Sequence, residues 1–307
     1  MKRKVWRWRL EYLLCRLVVA LLGRLPRHLA LRAGAAIGRL AHRLLPSRRR
    51  VAMANLALAL PELPGAQREQ IAADSFRRLG MLLAEFAQFP RLTPAKVLQV
   101  ARPVGHQHYL KAKSQGKGVI FLTAHFGAWE LLSFAQALLG HPLKFVVRQL
   151  DNPLLDRVVT AYRTRCGNGV IERREAARGI LRALAAGEAV GILFDQNTSD
   201  GVVVPFFGLP TRTTPVVATL ALRTGAPVIP VFLAASGDGY THSMIFEPEV
   251  ELQRSGNLKR DIEVNTTRFN QILEGHIRQH PDHWLWLHKR WKDSPITAAT
   301  PNRPPAA

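Results

Sequence analysis

Gly118-Val119-Ile120-Phe121-Leu122-Thr123-Ala124-His125-Phe126-Gly127-Ala128-Trp129-Glu130 is an apolar run that ends in a histidine, a glycine and then an acid. Apolar and β-branched residues in succession, with no polar alternation, read as a strand buried on both faces. Gly127 relaxes the backbone behind His125, and a helix is expected to begin near Glu130. In open α/β sheets the carboxyl end of a strand is where ligands and reactive side chains collect. With His125 on the turn, Glu130 is within reach of its ring. An imidazole held by a carboxylate suits a general base. On spacing alone the plainer reading is a structural histidine beside a solvated acid, with the general base as the alternative. No Ser stands in a G-x-S-x-G elbow, so no acyl-enzyme is expected. No second His or Cys lies nearby at ligand spacing, so no metal is expected either.

Outward from this stretch the alternation repeats. Apolar runs at 145–147, 189–194 and 228–233 read as further buried strands, and helical spacing covers 128–139, 153–165, 174–186 and 214–224. The expected fold class is α/β, with a central mixed, largely parallel sheet flanked by helices. Upstream, Ile71, Phe76, Leu79, Leu82, Leu83 and Phe86 predict an amphipathic helix over 66–89, and Thr93-Pro94 an N-cap with a first-turn proline. Downstream, 258–280 predicts a long helix before the aromatic stretch at 283–288. Three segments follow: basic amphipathic helices over 1–50, an α/β domain over 51–297, and a mobile Pro- and Ala-rich tail over 298–307.

Composition bounds the function. A 307-residue chain with 47% hydrophobic and 21% charged residues is not a disordered one, and Cys15 and Cys166 are too few and too far apart for a disulfide scaffold. The net charge is +21, and residues 1–50 carry +13 of it, with fourteen Lys and Arg against Glu11 alone. There Leu10, Leu13, Leu14, Leu17, Val18, Leu21, Leu22 and Leu25 recur at spacings of three and four, and Ala33, Ile37, Leu40, Ala41, Leu44 and Leu45 continue the rhythm. Arg16, Arg24, Arg32, Arg39 and Arg43 interrupt both runs, which leaves no uninterrupted span of roughly 18–20 apolar residues. The pattern fits helices lying in an anionic headgroup region, with Trp6 and Trp8 as anchors. A helix docked on the core, a spanning segment and a cleaved signal peptide are the competing readings. A nucleic-acid partner is not expected, because the charge accompanies leucine faces rather than interleaved aromatics.

The order of blocks carries a resemblance. Ala124-His125-Phe126-Gly127-Ala128-Trp129-Glu130-Leu131 resembles the H-x4-D/E segment of the lipid A biosynthesis acyltransferases, within the wider glycerolipid-type acyltransferases. Arg148 before Asn152-Pro153-Leu154-Leu155-Asp156 is similar to the family's second block, and Gly191-Ile192-Leu193-Phe194-Asp195-Gln196-Asn197 to the next. Val204-Pro205-Phe206-Phe207-Gly208 with Thr211, Thr213 and Thr214, the closing Trp286-x-His288-x-Arg290, and Arg50-x4-Asn55-Leu56 match further elements. The resemblance spans about residues 10–292. It implies transfer of a fatty acyl chain from a thioester co-substrate, acyl carrier protein or CoA, to a hydroxyl of a lipid A precursor, with no cofactor.

On that implication His125 removes the hydroxyl proton and Glu130 orients and charge-balances it. Arg148 meets an anionic or polar group near the reaction, or else pairs with Asp151 or Asp156. Asp195 bonds the acceptor sugar, holds Arg148, or merely caps a turn. Backbone N–H groups near Gly127 are candidate oxyanion donors. The implied location is the cytoplasmic face of a bacterial inner membrane, and an acidic carrier protein suits the basic surface. The Phe206-Phe207-Gly208 element lacks the acid of the glycerol-phosphate acyltransferases, which favours the lipid A branch. Another glycolipid, such as a phosphatidylinositol mannoside, or a lysophospholipid is the alternative acceptor.

Overall fold

Helices α1 (Lys2–Arg24), α2 (Arg27–Leu44), α3 (Pro46–Ala59) and α4 (Gly65–Gln88) open the computed structural model, which describes residues 2–147, 149–172, 175–237, 239–292 and 294. Arg148 and the tail 298–307 lie outside the described residues. Then follow α5 (Pro94–Val100), β1 (Ala101–Val104), α6 (His106–Lys113), β2 (Val119–Thr123), α7 (Trp129–Leu138), β3 (Leu143–Val147), α8 (Pro153–Thr164), β4 (Gly169–Glu172) and α9 (Ala176–Ala185). The chain continues through β5 (Ala189–Leu193), β6 (Val202–Phe206), β7 (Leu209–Thr213), α10 (Val216–Thr224), β8 (Val228–Ala235), β9 (His242–Phe246) and α11 (Leu258–Gln279). Thr93 caps α5 as its sequence predicts, with Oγ1 accepting the Lys96 N–H at 3.4 Å.

Seven strands form one sheet in the order β1-β9-β8-β2-β5-β3-β4, parallel throughout except for the β8–β9 pair, and β6 with β7 forms a separate antiparallel ribbon. The four strands expected from the sequence, β8, β2, β5 and β3, are neighbours at its centre. Covered on both faces, β8, β2 and β5 read as nearly continuous apolar runs, and every residue of β2 is buried; β3 carries a half-buried Lys144. One face of the sheet packs on α9, α10, α11 and the closing aromatic segment around Ile120, Leu122, Val190, Phe194, Phe232 and Trp284. The other packs on α5, α6 and α7 around Val119, Phe121, Phe145, Val231 and Phe246.

The N-terminal helices form as the spacing predicts, but the side chains they bury differ from a leucine seam. Helix α2 buries Ala30, Leu31, Gly34, Ala35 and Gly38. Its glycines bring two backbones together: a Cβ at Gly80 would stand 2.0 Å from the Gly34 carbonyl oxygen, and one at Gly38 2.1 Å from that of Phe76. Helix α1 contributes Val19 and Leu22 to the same small cluster, with Ala84 and Ala87 of α4. A buried Glu85 fastens this layer to the sheet, accepting from Arg27 Nη2 at 2.6 Å and pairing with His242 of β9. Among the described residues no helix is long and apolar enough to cross a membrane.

The backbone contact at the α2–α4 crossing makes Gly80→Ala destabilising, by roughly 1–3 kcal/mol for an overpacked contact. Thermal unfolding of Gly80→Ala beside Gly65→Ala checks this, since a Cβ at Gly65 meets nothing within 4 Å and that variant is expected to melt with the parent.

Candidate active site

Parallel pairing brings the reactive groups together. Thr123 of β2 is opposite Leu193 of β5, and two residues beyond each stand His125 and Asp195. His125 Nδ1–H donates to Asp195 Oδ1 at 2.9 Å, and the His125 backbone N–H donates to Oδ2 at 3.1 Å. Trp284 Nε1–H supplies a third donor to Oδ2 at 2.8 Å. Burial would push the Asp195 carboxyl up, but the His125 charge and these hydrogen bonds outweigh it and hold it below the usual range. For His125, burial disfavours the imidazolium, yet the charge and hydrogen bond of Asp195, helped by the charge of Glu130, hold its pKa above the ordinary histidine value.

Glu130, in the first turn of α7, does not bond the ring. Both of its oxygens face the Arg163 guanidinium of α8, with Arg163 Nε–H donating to Oε2 at 2.9 Å and Nη2 to Oε1. The expectation that Glu130 orients His125 is corrected by this geometry: Asp195 occupies Nδ1, and Glu130 reaches the ring through its charge. Asp195 holds His125 twice, by its ring and by its backbone N–H at the start of the turn. Arg163 carries no motif signal, since it meets Glu130 only when α7 and α8 pack on the same side of β3.

The turn between β2 and α7 requires its glycine. Gly127 has φ of +57°, and a Cβ there would lie 1.8 Å from the Leu233 carbonyl oxygen. Its N–H donates to His283 O at 2.8 Å and that of Ala128 to Leu233 O at 3.2 Å, so these two expected oxyanion donors are engaged. The ring of Trp129 stands edge-on to His125, with centroids 5.3 Å apart.

The closing aromatic segment grips residues 195–197 one by one. Trp284 holds Asp195, Arg290 Nη1 donates to Gln196 O at 3.3 Å, and the Asn197 N–H donates to His288 Nε2 at 3.1 Å. Arg290 is fully buried and also donates to Arg212 O and Thr213 Oγ1, each at 2.6 Å. Burial brings its pKa down to about 10, against the pull of the Asp195 charge, so it is still a cation at neutral pH. Asn55 Nδ2 donates to Trp286 O at 2.7 Å and His288 O at 2.6 Å, while Asp282 takes Arg78 of α4 on one side and His283 on the other. The distant blocks of the sequence are therefore one support around the Asp195 turn.

His125 opens into a cavity of about 640 Å³. Phe121, Leu132, Leu143, Phe145, Ile180 and Ile192 make its walls apolar, while Gln196, Asn197, Thr198, Asp200 and Thr214 give it a polar side. Among the described residues no group of three His, Cys, Asp or Glu side chains is placed to hold a metal ion. A polar rim, an apolar chamber and an imidazole between them can bind an alkyl chain and move a proton at its head.

The family model for the bacterial lipid A biosynthesis acyltransferases matches residues 3–293. A lipid A biosynthesis lauroyltransferase of Escherichia coli K12 is 28% identical over 91% of this chain and 90% of its own length. A palmitoleoyltransferase of the same organism is 29% identical, covering 86% and 85%, and a myristoyltransferase 26% identical, covering 84% and 79%. A match that runs from the first helix to the closing aromatic segment leaves no part of the site outside it: the chain belongs to the bacterial lipid A biosynthesis acyltransferase family and is an acyltransferase.

Proposed function

We propose that the protein moves a fatty acyl chain from a thioester, carried by acyl carrier protein or CoA, to a hydroxyl of a lipid A precursor, with His125 as general base and no acyl-enzyme. The observation that carries this reading is the His125–Asp195 pair at the head of a largely apolar cavity. With Nδ1–H committed to Asp195, Nε2 bears the lone pair and faces the space where hydroxyl and thioester meet. Among the described residues no serine or cysteine side chain bonds the ring. Asp195 orients the imidazole and balances the imidazolium. Glu130, clamped by Arg163, adds a second negative charge near it. Arg148 keeps its proposed part at an anionic group of the substrates, on the strength of the sequence blocks alone.

The reading extends to the membrane. Leu10, Leu13, Leu14, Leu17 and Leu21 lie between 54% and 62% exposed along one face of α1, and Trp6 is 72% exposed. A leucine face flanked by arginines fits the anionic cytoplasmic surface of a bacterial inner membrane, with the helix lying in the headgroups. Asn152, buried at the start of α8, donates to Trp8 O and Glu11 Oε2 and so ties α1, through a side other than its leucine face, to the cavity wall near Leu150. The excess of basic residues suits an acidic carrier protein as donor.

Replacing His125 by Ala is expected to lower kcat by about 10²–10⁴, measured by transfer from a long-chain acyl thioester to a lipid A precursor. Full activity in that variant overturns the general-base assignment. Because the base works only when neutral and its pKa is raised, activity is expected to fall as pH drops through a value above the ordinary histidine one. Removing the carboxylate charge by Asp195→Asn leaves burial to dominate, so the acid limb moves to lower pH while the rate falls.

For membrane binding, flotation with phosphatidylglycerol vesicles is the measurement. Leu13→Gln and Leu17→Gln are each expected to weaken binding about tenfold or more, given roughly 1.5–3 kcal/mol for a fully buried leucine. Unchanged flotation removes α1 from the membrane-facing surface.

A further inference from the structure

The transition state of thioester attack places negative charge on the carbonyl oxygen, and something must donate to it. The four amides of the turn at His125 are engaged: His125 with Asp195 Oδ2, Phe126 with Ala124 O at 2.7 Å, Gly127 with His283 O and Ala128 with Leu233 O. The Arg163 fork is committed to Glu130. Against the reactive nitrogen itself stands Gln196, whose side-chain Nε2 lies 3.3 Å from His125 Nε2 on the wall of the cavity. With the ring proton on Nδ1, the Gln196 amide is the donor in this contact and the lone pair of Nε2 the acceptor.

Its setting separates a fixed base from a movable tip. The backbone of Gln196 is held by the buried Arg290, and its neighbours by Trp284 and His288, whereas the side chain is exposed to the cavity. An acceptor hydroxyl that donates to Nε2 must take the place the amide now fills. The amide then sits one hydrogen-bond length away, beside the carbon under attack.

We propose that Gln196 is a catalytic residue: its side-chain amide yields Nε2 to the acceptor hydroxyl and donates an N–H to the thioester carbonyl oxygen as the oxyanion forms. The inference rests on the reading of His125 as base. The hydroxyl oxygen bonds the carbonyl carbon while its proton passes to Nε2, and the carbonyl π pair moves onto the oxygen held by Gln196. Collapse restores the C=O bond and breaks the C–S bond. The thiolate leaves with the proton from Nε2, giving an ester and a free thiol.

The test uses the full-length protein, a long-chain acyl carrier thioester and a lipid A precursor, with Gln196→Ala, Gln196→Met and His125→Ala. The methionine variant keeps the side-chain volume and removes the N–H, and thermal unfolding reports whether each variant folds like the parent. Both Gln196 variants are expected to lose about 10²–10³ in kcat, the cost of one oxyanion donor, with little change in KM for either substrate. The acid limb of the kcat profile, which reports the complex in which the amide has already left Nε2, is expected to stay where it is in the parent. Parental kcat in the folded methionine variant overturns the inference and passes the oxyanion to the first-turn amides of α7. A loss accompanied by a displaced acid limb in kcat also overturns it, because Gln196 would then act through His125. Activity in His125→Ala is a different failure, that of the base; inactive His125→Ala beside active Gln196 variants is the failure of this inference alone.

Discussion

The register between β2 and β5 is the constraint on which the site depends. Their pairing runs with a constant offset of 70 residues, from Val119 opposite Ala189 to Thr123 opposite Leu193, and the hydrogen bonds between His125 and Asp195 continue that same offset. A parallel pair delivers both residues to the same end of the sheet; an antiparallel pair would have sent them to opposite ends. A one-residue slip would turn one side chain to the other face. The direction of Nε2, and with it the position of the cavity relative to the base, follows from this alignment.

That arrangement buries a carboxylate, which is costly unless the charge is met by donors and a counter-charge. Asp195 has three donors, two of them from His125 and one from Trp284, and the buried Arg290 cation stands behind the next residue. The closing segment is thus what allows a charged aspartate to persist 2% exposed beneath the ring. It is itself anchored at both ends, by Arg78 on Asp282 and by Asn55 on the carbonyls of Trp286 and His288. Residues separated by more than two hundred positions therefore act on one turn. Thr213, which touches no reacting atom, belongs to the same set because it accepts from Arg290.

Much of this was legible in the chain, and what was not follows a physical rule. The central strands β8, β2 and β5 are almost wholly apolar because both faces are covered, and β3 shows the same signal over Phe145–Val147. The outer ones gave no such signal: β9 alternates buried with half-buried residues, and β1 is four residues long with Pro103 inside it. His125, Glu130 and Asp195 stood out as candidates, and the cavity gathers Glu130 and Gln196 around His125, with Asp195 beneath the ring. Their pairing did not stand out. Closeness in sequence pointed Glu130 at His125, whereas the sheet supplies Asp195 from 70 residues away and α8 supplies Arg163 to Glu130 from 33. A pairing set by strand register can be read only once the two strands are known to be neighbours. The equal distance of His125 and Asp195 from their strand ends was the available clue.

Charge accounting around His125 matches two carboxylates with two arginines beside an apolar chamber. Glu130 is matched by Arg163, and Asp195 by the nearby Arg290, so with a neutral His125 these five groups sum to zero. No standing net charge from them opposes the entry of an alkyl chain. On the proposed mechanism the only new charges are those that the reaction makes, an imidazolium on His125 and an oxyanion beside it. Two opposite charges a few ångströms apart attract far more strongly in such a chamber than in water. Pinning Glu130 by Arg163 matters for the same reason: a free carboxylate would compete with the oxyanion for the imidazolium, whereas a clamped one supports the proton on His125 and leaves its open side to the substrate.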